Sequence, residues 1–310
     1  MLGREMGRGL LLGAIDGANP LGFLASLGAA VVARVTHPNL RIGWRFVAAA
    51  WRPLLVGAGD DASRFVKALY GSLVDMPVDH LEIDRGLPFD ATKFRTALER
   101  ASQQATADSR HLVDHLAAFG SEMYPDENTF QDTKFRMVRR GDSAGQGLPA
   151  YALAIRKAVT MGALDRALFG AWDYLDEGFS LRWDPIEDQR YALRWRNPAQ
   201  SKKGEGPGTM LGANNLALEA LALFPTAMVG SVLATTGFRR QGKRAAWFTW
   251  PIWEQAVELD TVRSLLALAE LQRPIPDRRQ LAAMGIAEVF RSQRIAQNQY
   301  YSNFAPAVPA

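Results

Sequence analysis

The sequence predicts an α+β fold, predominantly helical, with a small antiparallel sheet in the C-terminal half. Three observations carry this expectation. Through residues 1–177, apolar side chains recur at helical spacing behind capping residues. After residue 178, short alternating runs and turn-forming clusters become frequent. Hydrophobic residues make up 48% of the 310-residue chain, enough apolar material for a substantial core. The reading divides the chain into a mainly helical region 1–177, a mixed basic region 178–300 and a flexible tail 301–310.

The elements follow in order. Asn19-Pro20 reads as a helix start, because proline suits the first helical position. Leu21, Leu24, Leu27, Gly28 and Val31 then recur at helical spacing in a segment apolar enough to be buried, ended by His37-Pro38-Asn39. Ile42, Trp44 and Phe46 alternate with Arg41, Gly43 and Arg45, the period of a strand. Residues 60–73 read as a helix and 75–89 as a loop. Asp90 caps one helix, and residue 108 or 109 caps a second that stops at Gly120. Residues 141–147 form a glycine-rich loop before an amphipathic helix over 148–174. In the C-terminal half, 179–183 and 190–195 read as strands joined by a turn. Residues 201–208 form a loop, and 212–223 a helix. Residues 229–238 and 245–251 read as strands, and 261–271 and 277–297 as helices.

Composition excludes several chemistries. There is no cysteine, so disulfides, thiolate catalysis and cysteine zinc sites are absent. Arg4 and Arg8 precede Leu10, Leu11 and Leu12, but the apolar run is broken by Asp16, Asn19 and Pro20. Neither it nor the following run reaches the roughly 20 residues that span a bilayer, so the region reads as part of a cytoplasmic fold. The net charge of +4 is unevenly spread. Residues 1–177 carry 20 basic and 21 acidic side chains, and residues 178–310 carry 16 and 11, together the 36 and 32 of the whole chain. The electropositive surface therefore belongs to the C-terminal half.

Candidate catalytic patterns are incomplete. His111 and His115 have the helical spacing of a metal pair, but His-Leu-Val-Asp-His is not a zinc-protease motif and no third ligand is visible. Asp184, Glu187 and Asp188 suit a turn better than a two-metal nuclease centre. No nucleophile motif stands around Ser143, and the loop 141–147 lacks the Gly-Lys-Ser/Thr of a nucleotide-binding loop. Arg139 and Arg140 just upstream give that loop a route to a nucleic-acid backbone; a plain connection is the alternative. No catalytic residue, metal or cofactor is expected.

The basic positions are more informative. On a strand, Arg190, Arg194 and Arg196 face one way while Tyr191, Leu193 and Trp195 face the other. Lys202 and Lys203 follow. Such a row suits a phosphate track, because guanidinium groups grip phosphate with two hydrogen bonds; a solvated strand face is the equal alternative. A second basic turn holds Arg239, Arg240, Lys243 and Arg244 within six residues.

Several strings together resemble a known family. They are Asn19-Pro20-Leu21-Gly22-Phe23-Leu24, Leu181-Arg182-Trp183-Asp184-Pro185, Gly212-Ala213-Asn214-Asn215-Leu216-Ala217, Thr236-Gly237-Phe238, Phe248-Thr249-Trp250-Pro251-Ile252-Trp253 and residues 259–266. The set resembles CRISPR-associated proteins of type I-G (formerly I-U) systems, either the large subunit of a Cascade effector or a protein accompanying its helicase–nuclease. The resemblance implies a non-catalytic, DNA- and RNA-binding subunit. Its partners would be CRISPR RNA, target DNA, other Cascade subunits and the helicase–nuclease, without a membrane. Base pairing would read sequence while the protein reads backbone shape. On this reading the basic positions above contact the backbone, and Asn214 and Asn215 contact bases or sugars. The rivals are a scaffold that binds only protein subunits and a metal-dependent enzyme using His111 and His115.

Overall fold

The computed structural model describes residues 9–83, 90–106, 109–123, 130–137, 147–187, 208–230, 232–241, 245–298 and 301–310. The fold is α+β, with its largest sheet C-terminal, as the sequence predicts.

Helix α1 (Pro20–Ala33) runs through the centre, and all 14 of its residues are buried. Its start is local chemistry: the Asn19 side-chain oxygen accepts from the backbone N–H of Leu21 and Gly22, at 2.8 and 3.2 Å. A helix apolar on every side needs neighbours on every side. One neighbour is a three-stranded antiparallel sheet of β1 (Gly9–Leu11), β2 (Arg41–Val47) and β3 (Ala50–Val56), in the order β1-β3-β2, which meets α1 through β2. The sequence anticipates β2 but not this sheet. Helices α2 (Ala62–Asp75), α3 (Ala91–Gln104) and α4 (Arg110–Ala118) follow, each amphipathic. The expected helix over 148–174 is two, α5 (Leu148–Ala158) and α6 (Met161–Leu168), because Thr160 starts a new one by accepting from Ala163 N–H.

Helix α7 (Leu211–Glu219), prolonged by a 3-10 turn to Leu223, lies against α1. The approach is so close that a Cβ on Gly28 would sit 1.6 Å from the Leu216 carbonyl oxygen. The boundary expected near residue 177 therefore does not separate two cores: residues from Leu10 to Phe304 belong to one apolar cluster.

The C-terminal sheet corrects two expectations. Its order is β11-β10-β9-β8, with β8 (Phe238–Gln241), β9 (Ala245–Trp253), β10 (Ile286–Asn298) and β11 (Tyr301–Phe304), and β12 (Val308–Pro309) pairs with β10. Residues 277–297 are thus a short helix followed by the longest strand. Helix α9 (Arg278–Ala283) ends before Gly285, whose φ of +83° turns the chain out of the helix. The supposed tail is part of the sheet: Phe304 is fully buried, and Ser302 N–H donates to the Met137 carbonyl at 2.8 Å. Residues 229–238 are likewise a hairpin, β6 (Thr226–Val229) with β7 (Val232–Thr235), rather than one strand. A small ladder joins β4 (Gly120–Ser121) and β5 (Gln131–Asp132), and helix α8 (Leu259–Leu266) follows β9.

Three of the buried indoles knit these pieces together. Trp183, Trp250 and Trp253 each donate from Nε1 to a distant carbonyl, of Phe135, Gly17 and Ile42 respectively, all at 2.8 Å. Each large apolar ring thereby enters the core without leaving its N–H unsatisfied. Phe248 lies at the centre of the aromatic cluster, within 6 Å of the ring centres of Phe135, Phe224, Phe238, Trp250 and Phe304.

Candidate nucleic-acid interface and the buried polar clusters

Strands β8 and β9 form an antiparallel ribbon, Phe238 opposite Phe248 and Arg240 opposite Ala246, with β8 at the edge of the sheet. The basic segment 239–244 thus occupies one edge strand and the connection into β9. Arg239 is partly buried and near Arg291, whose pKa is lowered first by burial and second by the Arg239 charge. Arg291 donates to Thr249 Oγ1 at 3.0 Å and to the carbonyls of Leu271, Arg273 and Pro274. Neutral acceptors hold it, so among the described residues no carboxylate cancels either charge.

Arg139, Arg140, Arg190, Arg194, Arg196, Lys202, Lys203, Lys243 and Arg244 lie outside the described residues, and Arg240 is described only by its place in β8. The strand expected over 190–195 falls there too. The strand expected over 179–183 is instead an irregular segment, with Phe179 and Arg182 at positive φ (57° and 61°).

The two asparagines require a correction. Asn214 and Asn215 are buried, 0% and 1% exposed, and present nothing to a base or sugar. Asn214 is a cross-brace. Its Oδ1 accepts from Leu181 N–H at 3.0 Å, and its Nδ2 donates to Glu187 Oε1 at 2.9 Å. Asn215 is different: neither side-chain polar atom has a hydrogen-bond partner.

Asp184 and Glu187 belong to this buried network. Asp184 Oδ1 accepts from Ile186 N–H at 3.0 Å, the hydrogen bond of an aspartate-led turn. Its Oδ2 accepts from the Tyr174 hydroxyl at 2.8 Å, and Asn19 adds a side-chain hydrogen bond. Glu187 accepts from the Ser180 and Thr209 hydroxyls as well as from Asn214. Burial is the largest cause raising both carboxyl pKa values, and the Asp184 charge helps push Glu187 up to about 7. Tyr174 is raised too, chiefly by burial. Lone pairs already filled by protein donors leave little for a metal, and among the described residues no group of three potential metal ligands exists. The turn reading of these carboxylates fits this geometry.

The histidine pair separates in the same way. His115 is buried, with Nε2 2.9 Å from the Leu218 carbonyl and Nδ1 3.1 Å from His80 Nε2. The carbonyl requires a proton on His115 Nε2, so His115 Nδ1 accepts from His80 Nε2–H. Both rings are neutral: burial first, then neighbouring charges that include Arg156, hold each pKa near 3. Beside them Arg156 donates from Nε and Nη2 to Glu219 Oε1, at 3.1 and 2.6 Å. Both nitrogens of His115 are committed, which excludes it as a metal ligand in this arrangement. His111 instead lines a cleft of about 810 Å³ between α1, α4 and α8, together with Arg34, Arg110 and Arg263. These arginines are far apart in sequence, and no spacing rule joins them.

No protein-family model matches this chain, and no curated protein matches its sequence.

Proposed function

We propose that the protein is a non-catalytic nucleic-acid-binding subunit of a type I-G CRISPR effector, working in the cytoplasm beside other Cascade subunits and a separate helicase–nuclease. The observation that carries this reading is the β8–β9 ribbon. It places Arg239 and Arg240 on an edge strand beside β9, with Arg291 near Arg239, and among the described residues no carboxylate pairs with Arg239 or Arg291. A basic two-stranded ribbon suits phosphate backbones, which supply the anions that the sheet edge lacks. The backbone of guide RNA or target DNA is its ligand, with sequence left to base pairing. The family strings serve this function indirectly. Asn19, Leu181 to Asp184 and Asn214 join one buried network that holds the halves of the chain together.

The test is fluorescence anisotropy of the full chain with a labelled DNA duplex and a labelled RNA strand. Reversing Arg239, Arg240, Lys243 and Arg244 to glutamate should abolish binding. Milder single variants should reduce the salt slope on duplex DNA by roughly 0.9 for each phosphate that the protein no longer neutralises. Unchanged affinity in a folded quadruple variant removes the assignment.

A second reading, a scaffold that contacts protein subunits only, has one specific observation in its favour. The tip of the β2–β3 hairpin exposes Phe46 (62%) and Val47 (44%) beside Trp51. Under that reading the isolated chain binds neither nucleic acid, and Phe46→Ser blocks co-purification with partner subunits.

A further inference from the structure

We infer that the cleft between α1, α4 and α8 is a nucleotide site, with its arginines holding the phosphate. This rests on the cleft alone and stands independently of the ribbon reading. Its volume, about 810 Å³, lies inside the range of about 300–1,000 Å³ typical of small-molecule sites. Arginines from three separate elements line it: Arg34 at the end of α1, Arg110 on α4 and Arg263 on α8.

Their three charges exceed those of the two carboxylates that line the cleft, Asp114 and Asp260. Arg263 Nη2 donates to Asp114 Oδ2 at 2.7 Å, and Arg110 Nε lies 3.6 Å from the same oxygen. One carboxylate oxygen thus serves two arginines. The Arg110 side chain is 77% exposed, so its hold on Asp114 is weak and easily exchanged for a ligand. Arg34 is exposed and has no ion pair among the described residues. A dianionic phosphate suits the two arginines that share Asp114, with Arg34 lining the same cleft, because guanidinium forks match its oxygens.

The rest of the cleft matches the rest of a nucleotide. Asp260 lines it and makes no ion pair among the described residues, which leaves an acceptor for ribose hydroxyl groups. Val31, Leu223 and Leu259 provide an apolar wall, and His111 a flat ring, against which a base can lie. The shared chemistry is a phosphorylated nucleoside, whether free or at the end of a strand.

Titration calorimetry on the full chain tests this with inorganic phosphate, adenosine, the four common nucleoside monophosphates and a 5′-phosphorylated oligonucleotide. At least one nucleotide should bind more tightly than phosphate or adenosine. Arg34→Ala and Arg110→Ala should each weaken it by roughly tenfold or more, since each removes a charge-assisted hydrogen bond. Asp260→Ala should weaken nucleotide but not phosphate. Both arginines are exposed, and an unchanged thermal midpoint confirms that each variant is folded; Arg34→Gln provides a second, more conservative variant. Tighter binding of the oligonucleotide identifies a strand end, and tighter binding of a monophosphate identifies a free nucleotide. The inference is overturned if none of these nucleotides binds, if the folded arginine variants bind as well as the parent, or if inorganic phosphate binds as tightly as any nucleotide.

Discussion

Glu187→Gln should make the protein more stable at alkaline pH. The Glu187 carboxyl is almost fully buried, and its pKa rises from an ordinary 4.5 to about 7, first through burial and then through the Asp184 charge. Between those two values the folded chain keeps a proton that the unfolded chain has released. Stability from this group is therefore fully present below pH 4.5, falls as pH rises, and levels off above 7. The difference amounts to about 3 kcal/mol at pH 8, taking roughly 1.4 kcal/mol per pH unit. Glutamine removes the charge and keeps the shape. Its oxygen can accept from Asn214 and Thr209, and its amide can donate to the Ser180 hydroxyl, which turns to accept. Urea unfolding followed by tryptophan fluorescence, from pH 5 to 8.5, gives the comparison. The variant should exceed the parent by about 3 kcal/mol at pH 8, with the gap closing towards pH 5. Titration of groups other than this coupled pair acts on both proteins and largely cancels. A variant less stable than its parent at pH 8, or a gap constant across the range, would refute the reasoning.

Four further expectations follow from the geometry. Imidazole NMR signals of His80 and His115 should remain those of neutral rings from pH 8 down to 5. Stability should meanwhile fall by on the order of 2 kcal/mol per histidine between pH 7 and 5, because only the unfolded chain takes up the protons; a ring that titrates near pH 6.5 contradicts this. Gly28→Ala should prevent α1 and α7 from closing, since the new Cβ would overlap the Leu216 carbonyl; an unshifted melting curve counts against that packing. Asn215→Leu should stabilise by about 1 kcal/mol or more, read from urea unfolding, by removing a buried amide with no partner; a clear loss of stability would mean that the amide has a ligand. Phe304→Ala should cost about 3–5 kcal/mol in the same assay, as for any buried phenylalanine; a negligible cost would mean that the C-terminal residues do not complete the sheet.

Local chemistry made some of the fold legible. Asn19-Pro20 starts α1 and Asp90 caps α3 as expected, because the bonds involved span two or three residues. The alternation from Ile42 to Phe46 likewise announced a strand. The failures share one cause. Residues 286–298 are rich in alanine, arginine and glutamine, which favour helix, and become a strand only because β9 and β11 lie beside them. Residues 301–310 gave no strong signal at all, yet pair with β10.

The candidate sites divide in the same way. The basic cluster from Arg239 to Arg244 is visible in the chain, where it reads as a turn after a strand over 229–238; Arg239 and Arg240 instead belong to strand β8, and the residues before them form a separate hairpin. Asn214 and Asn215 appeared as polar residues free to bind, but the helix that carries them is enclosed on all sides. The arginines of the cleft come from residues 34, 110 and 263, and no local pattern relates them. By itself the sequence determined the α+β class, the Asn19 and Asp90 caps and the charge of the C-terminal half, since each depends on neighbours or on sums. Only the tertiary structure decided which polar groups face solvent and which arginines meet. Those outcomes depend on packing between segments distant in the sequence, where burial and pairing outweigh local preference.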